Sequence, residues 1–272
     1  MSLPPSSRPA EVLAVGADGS LRPGIRAVPE EVPVSLVYSS VPFAVMMLTP
    51  GDLEDFAYGF SLTEGIVTDA AGIREVGVAE EERGLRLDIR LAPSDLSAHL
   101  SRRRSIAGRT GCGLCGIEEL DQMPQAARPD GPAPIIDTAA IRRALAALEA
   151  AQPLNDETRA VHAAAFASAD GTLRAVREDV GRHNALDKLV GAVMRGGIAA
   201  AEGFVVVTSR CSFELVEKAA AMGARTLVAI SAPTALALVR ARALDMNLVA
   251  VARRDAVAVF HGMDRVKETA RA

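Results

Sequence analysis

The chain has 272 residues, of which 49% are hydrophobic and 24% charged, and it carries a net charge of −4. That balance excludes an intrinsically disordered polypeptide and fits a folded one with room for two modest domains. It also excludes a general attraction for nucleic acid or an anionic membrane, although local basic clusters remain available to an anionic ligand. Aromatic residues make up only 3% of the chain, so the core must be built from Val, Leu, Ile and Ala. Three cysteines, an odd number with two in one glycine-rich segment, suit a reducing compartment better than a disulfide framework. The start, Met1 to Pro9, lacks the apolar core of a signal peptide. No apolar run reaches the length of a membrane span. A cytoplasmic protein is expected.

Residues 1–10 read as a disordered tail, and residues 11–122 as an α+β domain ending in a cysteine loop at 101–120. Two β-like runs, Glu31–Ser39 and Val41–Thr49, meet at Ser39-Ser40 as a hairpin. Thr49-Pro50-Gly51-Asp52 opens a helix with Leu53, Phe56, Ala57, Phe60 and Leu62 on its apolar face, closed by Gly65. Ile73–Val78 and Leu85–Leu91 are predicted strands, and a short helix from Pro93 to about Arg103 leads into the loop.

The loop reads Arg109-Thr110-Gly111-Cys112-Gly113-Leu114-Cys115-Gly116, with Arg102-Arg103-Arg104 upstream. Guanidinium charge, free amides and solvent access lower a thiol's pKa, and the thiolate is the nucleophile. A reactive thiol pair is therefore the first reading. Half of a zinc site is the second, although a structural zinc needs four ligands and no second Cys pair exists. A buried inert pair comes third.

A Pro-rich linker is predicted at 123–136, followed by an α/β domain over 137–272. Asp137 is the N-cap candidate for a helix over Thr138–Ala151. Val161–Ser168 and Thr172–Arg177 read as strands around an Asp170-Gly171 turn. A helix over His183–Met194 follows. Then strands Phe204–Thr208, Thr226–Ser231 and Leu248–Ala252 alternate with helices Ser212–Met222 and Pro233–Leu244, the pattern of a parallel sheet with right-handed crossovers. The chain is expected to turn back into Val257–Phe260.

In such sheets ligands lie beyond the carboxyl ends of the strands. Thr208-Ser209-Arg210 and Ser231-Ala232-Pro233-Thr234 occupy those ends, each before a helix whose free amides favour anions. Arg210 adds a bidentate fork suited to phosphate. Either serine alone could be a plain N-cap; two such turns side by side point to a phosphate or pyrophosphate pocket. A third polar cluster is Glu178-Asp179-Val180-Gly181-Arg182-His183-Asn184-Ala185-Leu186-Asp187-Lys188. His183 and Asp187, four apart, share a helix face and are expected as a hydrogen-bonded pair at the end of the sheet.

These motifs resemble the formate dehydrogenase accessory sulfurtransferases, the FdhD family. The similarity runs from about Glu31 to Phe260. Its most specific pieces are Arg109–Gly116, Glu178–Lys188, Thr208–Arg210 with Glu214 and Lys218 following, and Ser231–Ala237. Val45–Phe60 is also similar. The resemblance implies a cytidine-deaminase-like three-layer α/β core, a smaller α+β N-terminal domain and the two cysteines on a flexible loop. It implies that sulfane sulfur passes as a persulfide from a cysteine desulfurase to the molybdenum cofactor, bis-molybdopterin guanine dinucleotide, for use by formate dehydrogenase. Cys112 matches the family's persulfide-carrying cysteine and Cys115 its partner.

Thr208, Ser209, Arg210, Ser231, Thr234, His183 and Asp187 would then hold the cofactor as bound substrate, with GDP as its minimal mimic, and the protein would keep no metal of its own. A homodimer is implied as well. The family's C-terminal cofactor segment commonly begins with Phe and ends with Arg. Here Val251-Ala252-Arg253-Arg254-Asp255-Ala256 lacks both, while Arg253, Arg254 and Asp255 keep its charged character and are expected among the cofactor-binding residues. Cys211 is expected as a small buried residue or an incidental thiol. A zinc deaminase is not expected, because the candidate strand reads His162-Ala163-Ala164 without the required glutamate. The remaining alternative is a non-catalytic cofactor chaperone with a structural or zinc-binding Cys pair.

Overall fold

The structure is a computed structural model that describes residues 3–97, 125–253 and 255–268. Cys112, Cys115, the rest of the cysteine loop and Arg254 lie outside the described residues.

The first element was not expected. β1 (Ser7–Val15) and β2 (Leu21–Pro29) form an antiparallel hairpin, so the predicted tail is already strand from Ser7 onward. Its side chains stay largely exposed, Leu13, Val15, Leu21 and Ile25 among them. With no buried face the segment carries no clear in–out alternation, the signal by which strands are read.

β3 (Val32–Tyr38) and β4 (Val41–Leu48) pair as the predicted hairpin, with Ser39 and Ser40 both at positive φ in the turn. α1 (Leu53–Thr63) follows. β5 (Ile73–Glu81) and β6 (Gly84–Leu91) complete a sheet of order β4-β3-β6-β5. α1 lies on that sheet: Phe56, Ala57 and Phe60 pack with Leu36, Leu48, Leu87 and Ile89. Each such large side chain, fully buried, contributes about 1.5–3 kcal/mol.

The second half is a three-layer sandwich. β7 (Ile136–Asp137) leads into α2 (Thr138–Glu149), where Asp137 accepts from Ala139 N as the predicted N-cap. A one-and-a-half-turn helix, α3 (Pro153–Thr158), precedes β8 (His162–Ser168) and β9 (Leu173–Asp179). Then come α4 (Arg182–Arg195), β10 (Gly203–Val207), α5 (Phe213–Ala221), β11 (Thr226–Ala229), α6 (Ala235–Ala243), β12 (Asn247–Ala250), β13 (Ala258–His261) and β14 (Val266–Lys267). The sheet order is β13-β12-β11-β10-β8-β9. The central β10, β11 and β12 are parallel, as their alternation with helices predicts. β8 runs antiparallel to β10, and β13 antiparallel to β12, so the sheet is mixed.

Alternation along the strands supplies both faces. Val205, Val207, Leu227, Ala229 and Leu248 pack under α4, α5 and α6. Phe204, Val206, Val228 and Val249 pack against Ile141, Leu145 and Leu148 of α2. Residues 125–134, the described part of the predicted linker, are tied down: buried Arg225 donates to the carbonyls of Pro129 and Gly131, and Asn247 to that of Pro134. On the C-terminal side of the cysteine loop, Ala126 is held between Glu217 and Arg240.

The two halves meet where α1 crosses α4. Gly59 lies against the backbone of Asp187 and Gly191, and Gly191 against Asp55, so closely that a Cβ at either would overlap main chain. Polar clasps flank the crossing. Lys188 Nζ sits 2.7 Å from Asp179 Oδ2, both side chains fully buried, and also donates to Thr49 O. Asn184 bridges Asp179 and Met47 O. Asp55 binds Arg177 and Arg195.

Candidate functional site

The sheet has one chemically distinctive edge. Parallel β10, β11 and β12 end there at Val207, Ala229 and Ala250, and antiparallel β8 begins there at His162. α4, α5 and α6 each start at that edge, so three sets of free helix amides point to one rim. Gly181 and Ser212, the N-caps of α4 and α5, make no side-chain cap bond.

The two turns singled out from sequence are joined. Cys211 N donates to Ala232 O and Thr234 N to Cys211 O, a short parallel bridge that welds Thr208–Arg210 to Ser231–Thr234. Their hydroxyls are mostly engaged. Thr208 Oγ1 accepts from Ala163 N at 2.9 Å, Ser209 Oγ donates to Arg210 O, and Thr234 Oγ1 caps α6 through Ala237 N. What these turns present is therefore backbone amides, half-buried Ser231 and the exposed Arg210 side chain. Cys211 is fully buried, and burial pushes its thiol up to about 12. It is the inert small residue expected.

The His183–Asp187 pair does not form. Asp187 is buried and binds Lys218 Nζ at 2.9 Å through both oxygens, with Thr63 Oγ1 at 2.7 Å. Burial raises its carboxyl, against the pull of the Lys218 ammonium. Burial acts against the Lys218 charge as well, but Asp187 and Glu64 outweigh it and hold its pKa above the lysine value. The partner came from α5, a tertiary contact that helix spacing does not encode. Asp187 is thus a structural clasp, like Asp179 and Lys188.

His183 instead faces Glu214 in the first turn of α5, with Nε2 3.9 Å from Oε2. Burial, then the charges of Arg182 and Lys218, lower its pKa to about 4, so the ring is neutral near pH 7. His162 is lowered in the same direction by burial and by Arg182. Arg182 Nε and His183 Nε2 are both buried without a hydrogen-bond partner. Sequence reading named neither Arg182, Glu214 nor His162 as site residues. The available signal was position: Glu214 opens the helix after Thr208–Arg210, and Arg182 opens the helix after β9.

At the far side of β11, Arg253 is turned onto carbonyls of Ile230 and Ala252, and Asp255 is exposed. Val251 takes φ 50°, a left-handed conformation rare for a β-branched residue. The structure brings Thr208–Arg210, Ser231–Thr234 and His183 to one edge, with Arg253 next to Ile230 beside them. Among the described residues no group of three or more His, Cys, Asp or Glu side chains is arranged to hold a metal.

Comparison with known proteins agrees with this geometry. A chain of a candidate formate dehydrogenase accessory protein from Desulfotalea psychrophila superposes with a TM-score of 0.75, covering 97% of this chain and 100% of that one at 24% identity, which speaks to the fold. Sulfur carrier protein FdhD of Cupriavidus necator is 46% identical over 243 residues, 89% of this chain and 84% of the relative. The protein of that name from Agrobacterium fabrum is 48% identical over 251 residues, 92% of each. The family model described as FdhD/NarQ matches residues 29–267. The chain belongs to the FdhD/NarQ family.

Proposed function

We propose that this protein is a sulfur carrier in formate dehydrogenase maturation, taking sulfane sulfur from a cysteine desulfurase and delivering it to bis-molybdopterin guanine dinucleotide. The observation that carries the reading is the chain's 46–49% identity with proteins named sulfur carrier protein FdhD, over most of its length. Cys112 is assigned as the acceptor. Its thiolate attacks the terminal sulfur of the donor persulfide, a new S–S bond forms at Cys112 and the desulfurase cysteine leaves as thiolate. No net oxidation occurs. Cys115 is placed as the neighbouring thiol, and the alternative of a zinc-bound or structural pair fits only a non-catalytic chaperone.

The cofactor is substrate, and the sheet edge suits its guanine nucleotide part. The start of α6 and Arg210 face phosphate, and the uncapped starts of α4 and α5 adjoin them. The layered core, with helices on both faces of a mixed sheet, supports the deaminase-like description of the fold. His162 stands alone where a zinc deaminase needs His-x-Glu, which speaks for binding rather than hydrolysis. A cytoplasmic homodimer is the assembly assigned; no helix among the described residues is long and apolar enough to cross a membrane.

Arg210→Ala tests the site. It should weaken GDP binding by about 1.5–3 kcal/mol, the worth of a charge-assisted hydrogen bond. Cys112→Ser should leave GDP affinity unchanged, because the thiol acts on the sulfur-accepting part of the cofactor. Calorimetry on both variants reads this. An unchanged Arg210→Ala affinity would move the nucleotide elsewhere.

A further inference from the structure

Next to the welded turns, on the β8 side of β10, lies a polar cluster in which only His183 already has a part in the nucleotide reading. Arg182 opens α4 and Glu214 lies in the first turn of α5, with His183 3.9 Å from the Glu214 carboxylate. The guanidinium Nε of Arg182 and Nε2 of His183 are buried and unpartnered. A buried polar atom left without a partner costs about 1–3 kcal/mol, so such atoms point to a ligand. Glu214 is ionised. Burial works against its charge, but the Ser212 hydroxyl, its own backbone N–H and the neighbouring Arg182 guanidinium bring its pKa below the usual value.

This set of groups is a poor phosphate site, because the Glu214 carboxylate would repel an anion. It offers instead one ionised double acceptor beside a guanidinium donor, with a neutral imidazole alongside. A planar ligand edge carrying two adjacent N–H donors and a carbonyl oxygen complements it. Guanine has that edge: N1–H and the 2-amino group are donors, and O6 is an acceptor. Adenine has an acceptor at N1 and no carbonyl, so it would leave the carboxylate unmatched. The position fits too. The helices α5 and α6 are packed neighbours that both start at this edge, so a base at the start of α5 has the start of α6 beside it for its phosphates.

We propose that Glu214, with Arg182 and His183, reads the hydrogen-bonding edge of guanine, and that Glu214 sets base specificity. The assignment rests on the nucleotide reading above and adds to it the residue that selects the base. Loss of the 2-amino group removes one charge-assisted hydrogen bond. Changing the carboxylate to an amide keeps one acceptor and substitutes a donor, which matches the 2-carbonyl of xanthine.

The test is calorimetry of the full chain with four nucleotides: GDP, inosine diphosphate, xanthosine diphosphate and ADP. The unaltered chain should bind GDP at least about tenfold more tightly than inosine diphosphate, and ADP more weakly still. Glu214→Gln should lose about tenfold or more in GDP affinity and prefer xanthosine diphosphate to GDP. The inosine comparison needs no variant and therefore no assumption about folding. An unaltered chain that binds GDP and inosine diphosphate equally, or a Glu214→Gln protein with the original order of preference, would overturn the base-reading assignment alone. An unaltered chain that binds no GDP would overturn the nucleotide reading beneath it as well.

Discussion

His183 couples the candidate site to pH. Its folded-state pKa of about 4 lies below the ordinary histidine value, because burial and then Arg182 and Lys218 disfavour the imidazolium. Below about pH 6.5 the unfolded chain takes up a proton that the folded chain refuses until about pH 4. The stabilisation is therefore complete above about 6.5 and is lost as pH falls towards 4. His162 acts in the same direction. His183→Gln should flatten the acid limb of the melting temperature between pH 4 and 6.5 relative to the parent protein. Identical pH profiles for the two would show that the ring is not held neutral by its surroundings. At this scale sequence reading was strongest for residues with local roles. The Asp137 N-cap followed from neighbours in the chain. The partner of Asp187 did not, because Lys218 reaches it from another helix.

Among the elements, the crossing of α1 and α4 is the most constrained. Gly59 and Gly191 allow the two backbones to touch, and a methyl group at either would meet main chain rather than a movable side chain. Gly59→Ala and Gly191→Ala should each destabilise the fold by about 1–3 kcal/mol, the usual cost of overpacking. Denaturant midpoints measure it; midpoints unchanged in both variants would mean that the halves are not packed this closely. The glycines looked unremarkable in sequence, since nothing local marks a helix glycine as a contact. The longer strands and helices of the second half were legible because each buries one face or two, which imposes a period on the sequence; the helix α3, with no buried residue, was not. The β1–β2 hairpin was missed for the opposite reason. Its side chains remain largely exposed, and Pro9, Pro23 and Gly24 interrupt what strand pattern there is.

For the whole molecule, the proposed function has the sheet edge and the cysteine loop serve one substrate. The edge gathers the starts of α4, α5 and α6, Arg210, and the Arg182–His183–Glu214 cluster. The buried clasps around Asp179, Asp187 and Asp55 hold the N-terminal layer to that core. Much of the motif Glu178–Lys188 serves this clasp, so a motif that read as a site from sequence divides into structural residues and two that face the edge. In the proposed function, sulfur transfer rests on Cys112. Mass spectrometry of the intact protein after incubation with a cysteine desulfurase and cysteine tests that claim most directly. The account predicts an adduct of one sulfur atom, located on the peptide containing Cys112, released by a thiol reductant and absent from Cys112→Ser. A parent protein that stays unmodified, or a Cys112→Ser protein that loads sulfur as fully as the parent, would contradict it.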